Sequence, residues 1–431
     1  MGKKRTIELT WIGKENRVKP PPRNLVEDPA VSYHAKTRAS GDGLCDNKLI
    51  FGDNLLALKA LAQEHAGKVK CVYIDPPYNT GNAFEHYDDS LEHSRWLSWM
   101  RDRIEALHRL LRPDGFFFCH IDDAESHYLK ALLDEIFGRG NYLTTFYIQV
   151  RYPEKTLKQD MAFHKEIEQI HVYRRDKAAT PRQNESAPSL DKFRYYVEER
   201  RKGRVLNLGG KRVTLFSPEE YMISEGVGSE NGLKEIWASG TILDGNSSGR
   251  FFRDYLSGRS GKDGLGILYK VEGIGDDKFA YRYFTGPKRP GATKGKYYQG
   301  VPMGQINHPN QKKFSPIENF YDLAAQFGNC RSEGGVDFRS GKKPEKLLAI
   351  ILRHFSEPGD LVLDCFAGSG TTGAVAHKMG RRWIMVEHGE HCHTHIIPRL
   401  KKVIAGEDKS GITEMVNWKG GGSFRYYRVG V

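Results

Sequence analysis

Residues 361–373 read Leu361-Val362-Leu363-Asp364-Cys365-Phe366-Ala367-Gly368-Ser369-Gly370-Thr371-Thr372-Gly373, and the order of residue types in them decides the fold. The apolar residues closed by an acid predict a buried strand. The glycines at 368, 370 and 373 form G-x-G-x-x-G and open a helix over 374–378. Such a turn lets backbone approach a ligand closely. A further strand over 382–387 ends in Glu387, 23 positions after Asp364, where a carboxylate can meet ribose hydroxyls. The spacing points to a nucleotide-like cofactor and leaves NAD and other adenosine ligands open. Glycines that serve only tight helix packing are the plainer alternative, and the two flanking acids weigh against it.

Working outward, Pro344 starts a helix striped by Leu347, Leu348, Ile351, Leu352 and Phe355. The same alternation runs near the amino terminus. A short strand at 48–52 is followed by Asp53-Asn54, which cap a helix carrying Leu55, Leu56, Leu58 and Leu61. A strand over 70–74 stops in Asp75-Pro76-Pro77-Tyr78. The two prolines fix φ and remove two donors, so their carbonyls stand as acceptors beside the Asp75 carboxylate and the flat Tyr78 ring. Acceptors beside an aromatic plate suit a planar amine; an ordinary strand-end turn with an exposed tyrosine is the plainer reading. A polar turn at 82–90 leads to an amphipathic helix with Trp96, Met100, Ile104, Leu107 and Leu111 on one stripe. A turn at 112–115, a strand at 116–121 and a helix capped by Asp122-Asp123 come next. Strands over 142–150 and 167–173 have no helix between them, which predicts an antiparallel hairpin at the edge of a mixed α/β sheet.

The 431 residues suit one elaborated domain or two to three ordinary ones. With 66 Lys+Arg against 54 Asp+Glu the chain carries +12, which favours a polyanionic partner, nucleic acid ahead of an anionic membrane surface. The six cysteines are scattered without a C-x-x-C, as in a reducing compartment. No stretch approaches a membrane span or an export signal, so the expected location is cytoplasmic. From 174 to 340 the periodicity dissolves, and cations interleave with aromatics at 194–196, 200–202, 251–253, 288–289 and 294–298. That pattern fits phosphate neutralisation with base or sugar contacts, or else an ordinary basic surface. His388, His391, Cys392, His393 and His395 are too crowded for the usual four-ligand zinc spacing, and no metal site is assigned.

The pairing of DPPYNTG at 75–81 with DCFAGSGTTG at 364–373, preceded by PEKLL at 344–348, resembles the beta group of DNA amino-methyltransferases that use S-adenosylmethionine. This group includes type III modification subunits and solitary adenine methyltransferases. The resemblance implies a doubly wound, Rossmann-like methyltransferase sheet, circularly permuted in sequence, mostly parallel with an antiparallel edge hairpin, and carrying an inserted target-recognition region. It implies an arm at 1–47, a catalytic half at 48–175, target recognition at 176–340, a cofactor half at 341–405 and a tail at 406–431. Asp75, Pro76, Pro77 and Tyr78 would be catalytic. Asp364, Phe366, Gly368 and Gly370 would hold the methionine part of the cofactor, Glu387 its ribose and Asp53 its adenine. Thr371 and Thr372 would cap the helix and bond the cofactor carboxylate, with Lys343 and Pro344 nearby. Cys365 departs from the proline usual after the aspartate. The implied reaction is methylation of adenine N6 in a base flipped from duplex DNA, with N4-cytosine methylation, or service as a modification subunit to a restriction partner, as alternatives. Dimerisation is common in the group.

Overall fold

The computed structural model describes residues 9–17, 20–35, 44–80, 92–154, 163–238, 247–308, 312–339 and 341–430. The polar turn expected at 82–90 lies outside them. The chain divides into two compact units, one made of 1–183 with 316–431, the other of 184–315.

The larger unit is built on one sheet. Six parallel strands stand in the order Ser423–Val429, Asn47–Phe51, Arg382–Glu387, Leu361–Asp364, Val69–Ile74 and Leu111–Ile121. The chain thus lays Asn47–Phe51 and Val69–Ile74 apart and returns some three hundred residues later to fill the gap, which is the permutation expected. Ile167–Arg174 and Tyr142–Gln149 continue the sheet as the expected antiparallel pair. The edge is extended once more by Phe320–Asp322, parallel to Tyr142–Gln149.

Because side chains alternate across a strand, neighbouring residues feed opposite cores. Leu49, Cys71, Tyr73 and Val362 join one hydrophobic cluster with Leu347, Leu348, Ile351 and Leu352 of the helix Glu345–Phe355. Ile50, Val72, Ile74 and Leu363 join the other, with Leu58, Trp96, Met100, Ile104 and Leu129 from the helices Asn54–His65, His93–Leu110 and Ser126–Phe137. Helices on both faces make the sheet doubly wound.

Several boundaries differ from expectation. The segment 406–431, expected as a tail, supplies Ser423–Val429, a full strand of the sheet beside Asn47–Phe51. Phe424 and Tyr426 alternate inward and are fully buried, a short period-2 signal that Arg425 and Arg428 mask. The described residues of the segment 1–47, expected as an arm wrapping something else, pack on the sheet itself: Leu25–Glu27 and Tyr33–His34 pair with Ser423–Val429, and Trp11 Nε1 donates to Ser98 Oγ at 2.7 Å. The turn expected at 112–115 is absorbed into the strand Leu111–Ile121 as an irregularity in its pairing with Val69–Ile74. Glu125, not Asp122 or Asp123, stands at the N-cap of Ser126–Phe137. Replacing Phe424 with alanine should lower stability by about 3–5 kcal/mol, read as an earlier urea midpoint by the fluorescence of Trp383, whose ring centroid lies 6.2 Å away.

The inserted unit, 184–315 rather than 176–340, is not irregular. Six antiparallel strands run Arg204–Leu208, Lys211–Phe216, Leu268–Glu272, Tyr281–Thr285, Gly295–Gln299 and Lys234–Ala238. Phe251, Phe252, Tyr297 and Tyr298, from stretches that in sequence fit either nucleic-acid contacts or an ordinary basic surface, are buried in its cores. Tyr297 and Tyr298 stand on the strand Gly295–Gln299 and Phe251 and Phe252 on a helical stretch, whereas 200–202 and 288–289 lie between elements. Trp237, 62% exposed with Lys296 Nζ 4.9 Å from its ring centroid, is an aromatic left to solvent.

Among the described residues no helix is long and apolar enough to cross a membrane.

Candidate active site

Four neighbouring parallel strands end in acids, in the spatial order Asp53, Glu387, Asp364 and Asp75. Open α/β sheets bind ligands at this end of their strands. A cavity of about 630 Å³ is lined by Asp75, Pro76, Pro77, Tyr78, Glu168, Lys343, Asp364, Phe366, Gly368 and Thr372 among others. A second, of about 150 Å³, is lined by Asp53, Asn54, Trp99, Arg103, Glu387 and His388. Pro77 and Phe366 line both, so the two hollows are parts of one cleft. Each expected site residue except Pro344 has a place in this cleft or in the turn behind it.

The glycine turn is held by its own neighbours. Gly368 and Gly370 take φ of 52° and 78°, left-handed values that other residues reach only with strain. A side chain at Gly373 would run into Met385, so the third glycine brings helix and sheet together. Arg399, fully buried, donates to the Ser369 carbonyl at 3.1 Å and to Thr371 Oγ1 at 2.8 Å. Its other nitrogen meets Glu345 at 2.9 Å, and Glu345 also pairs with buried Lys378. This buried network, which no spacing in the sequence reveals, ties the turn to three helices.

Thr371 and Thr372 do not cap the helix, whose N-cap is Gly370. The Thr372 hydroxyl donates to Asp364 Oδ2 at 2.6 Å, and the Thr371 hydroxyl to the Lys343 carbonyl at 3.1 Å. Asp364 Oδ1 accepts from the Phe366 N–H at 2.9 Å. Burial pushes the Asp364 carboxyl up to about 7, although those hydrogen bonds pull the other way. Glu387 is equally deep, and burial would raise it, yet the His388 and His391 rings and the Gly389 N–H hold it down to about 2. Its other oxygen accepts from the Gly368 N–H at 2.8 Å. The two acids therefore differ: one is poised to exchange its proton near neutrality and the other is firmly ionised.

At the small cavity Asp53 Oδ1 caps its helix through the Leu56 N–H at 3.0 Å, and Oδ2 lies 3.2 Å from Arg103. Arg103 stacks 3.9 Å from the Trp99 centroid, and Trp99 meets Phe366 at 5.5 Å. A flat, aromatic-walled slot with acids at its rim fits a purine and its ribose. Trp99, Arg103 and His388 were not legible as site residues, because in sequence Trp99 and Arg103 read only as parts of an amphipathic helix.

At the other end, the Asp-Pro-Pro-Tyr turn is fixed by Trp96 Nε1, which donates to the Pro77 carbonyl at 3.0 Å. The Pro76 carbonyl receives no hydrogen bond from a described residue. Asn79 takes a left-handed φ of 57° and reaches Glu125 at 2.7 Å. Lys343, expected beside the cofactor, lines the same cavity as the glycine turn and puts its ammonium 2.8 Å from Asp75 Oδ2. Burial alone would lower this lysine, but Asp75 and Glu168 raise it, so it is a fixed positive charge behind the turn. Pro344 stands at the N-cap of the helix Glu345–Phe355 and lines neither cavity. Three histidines of the cluster are engaged with neighbours: His391 bonds Glu387, His393 Nε2 lies 2.9 Å from the Tyr426 hydroxyl and His395 Nε2 lies 3.2 Å from the Asp337 carbonyl, while His388 lines the small cavity.

The fold and cleft define a class, the open α/β proteins that bind a nucleotide-like ligand across the carboxyl ends of their strands. Within it, this chain belongs to the DNA methylase family (N6_N4_Mtase), whose profile matches residues 69–398. It is 32% identical over 416 residues to the probable type III restriction-modification enzyme HindVI Mod subunit of Haemophilus influenzae, covering 88% of this chain and 53% of that one. It is 31% identical to the EcoPI Mod subunit of Escherichia phage P1, covering 87% and 61%. The type II methyltransferase M.KpnI of Klebsiella pneumoniae is 29% identical, covering 77% and 76%. The chain thus spans about half to three-fifths of the length of the two Mod subunits.

Proposed function

We propose that this chain transfers a methyl group from S-adenosylmethionine to the N6 amine of an adenine drawn out of duplex DNA. The observation that carries the reading is a single cavity lined at once by the Asp75-Pro76-Pro77-Tyr78 turn and by the Asp364 glycine turn. Asp364 would hold the cofactor's methionine part, Glu387 its ribose, and Asp53 with Trp99 and Arg103 its adenine. When bound, the cofactor supplies an electrophilic methyl. The chain's own work is on the amine. Adenine's amino lone pair is delocalised into the ring, and hydrogen bonds from its protons to Asp75 and to the Pro76 carbonyl favour the pyramidal, nucleophilic form. Tyr78 presents a ring edge and face to the base, and the reaction needs no covalent intermediate on the protein.

The likeness to Mod subunits supports a role in restriction-modification beside a restriction subunit, and a homodimer is in keeping with the group. Methyl-labelled cofactor incubated with this chain and mixed-sequence duplex DNA should place label in adenine. Label found only in cytosine, RNA or protein would remove the adenine claim. Transfer that begins only when a restriction partner is added would make the chain a dependent subunit.

A further inference from the structure

The cavity holds a second carboxylate that the proposed reaction does not use. Glu168 lies on the strand Ile167–Arg174 and reaches the Tyr78 hydroxyl with Oε2 at 3.0 Å, while that hydroxyl also lies 2.9 Å from Asp75 Oδ1. A phenol has one proton to give, so the two acids compete for it. Asp75 Oδ2 is already engaged by Lys343. When Tyr78 donates to Asp75, each oxygen of the turn's acid already has one donor, and the incoming amine must share Oδ1 with the phenol and gains a weaker bond. When it donates to Glu168, Oδ1 is open to the amine.

Glu168 is built for that competition. His120, fully buried, sets Nε2 2.8 Å from the same Oε2. The approach is a close polar contact without hydrogen-bond alignment, and on the other side of the ring Nδ1 lies 2.8 Å from the Tyr73 hydroxyl. Burial would raise the Glu168 carboxyl, yet Lys343, His120 and Tyr78 hold it down to about 2. Tyr73 is itself buried, so the line Tyr73, His120, Glu168 is rigid and ends on the Tyr78 hydroxyl.

Resting on the amino-methyltransferase reading, we propose that Glu168, oriented by His120 and Tyr73, is a positioning residue that draws the Tyr78 hydroxyl away from Asp75 and leaves Asp75 Oδ1 to the substrate amine. It acts through Tyr78. The test is a cycle of Glu168→Ala, Tyr78→Phe and the double variant, read as single-turnover methyl transfer to duplex DNA. Glu168→Ala should slow the step on the order of tenfold to a hundredfold, the value of a hydrogen bond to a charged group, with the KM for S-adenosylmethionine within about twofold. Glu168→Gln, which keeps an acceptor oxygen, should recover most of the rate. In the Tyr78→Phe background, where no hydroxyl competes, Glu168→Ala should cost nothing further. Losses that multiply in the double variant overturn the proposal, as does a Gln variant as slow as Ala with an unchanged melting temperature. A wild-type chain that transfers no methyl would instead overturn the underlying reading, so the two failures are told apart.

Discussion

Asp75→Ala should reduce methyl transfer about a thousandfold while the dissociation constant for S-adenosylmethionine changes by less than about threefold. The separation follows from where the side chain sits. Asp75 ends the strand next to the one that ends in Asp364, so it shares the cavity with the cofactor turn without forming part of it. The hydrogen bonds that shape the glycine turn come from Thr372, Phe366, Gly368 and Arg399, and none runs through Asp75. What the alanine removes is an acceptor aimed at the amine, needed more in the transition state than in the ground state, so the loss falls on kcat. It also leaves the Lys343 ammonium with Glu168 at 3.8 Å as its remaining carboxylate. The Asp75→Asn variant keeps volume, and an amide presents a donor to either Lys343 or the amine, so it should be nearly as slow. Cofactor binding is read by calorimetry and transfer by labelled methyl. Loss of both together would mean that Asp75 holds the cleft's shape rather than the amine.

How far the sequence led depended on how local each signal was. The glycine turn and the Asp-Pro-Pro-Tyr turn are contiguous, and their chemistry depends on a strand before and a helix or turn after, all within a few residues. They were legible. Lys343 was legible as a neighbour of the site but not in its task, because its partner Asp75 is distant in sequence and adjacent only once Leu361–Asp364 slots beside Val69–Ile74. Glu168 and His120 were hidden for the same reason: each sits in a β-rich run whose inward face could as well have been core. The buried set Glu345, Lys378 and Arg399 looks in sequence like ordinary helix charges. In the inserted unit, strands of five or six residues separated by glycine turns are too short for period 2 to stand out, and Ser423–Val429 failed to register because arginines alternate with its buried aromatics.

Lowering the pH through neutrality should weaken S-adenosylmethionine binding, with Asp364 as the cause. Its carboxyl is 2% exposed and is raised by burial to about 7. In the cofactor-free chain it therefore carries a proton over much of the range between the ordinary value of 3.8 and about 7. A cationic methionine end on the bound cofactor favours the ionised form, so binding must expel that proton. Affinity should reach a plateau above pH 7 and fall below it by up to about tenfold per unit. Calorimetry at pH 6 in buffers of different ionisation enthalpy should count release of about one proton, shrinking towards zero at pH 8. Asp364→Asn should abolish the proton release and weaken binding on the order of a hundredfold. Stability should move the other way. A buried acid whose folded value lies above its unfolded one adds stability that is complete below the unfolded value and is lost as the pH rises through about 7. At pH 8 the cofactor-free wild type therefore bears a buried charge that Asp364→Asn does not, and the variant should melt no lower than wild type while binding far more weakly. Glu387, already held at about 2, offers no such titration, so proton release that survives in Asp364→Asn would move the switch to another group and deny Asp364 its contact with the cofactor.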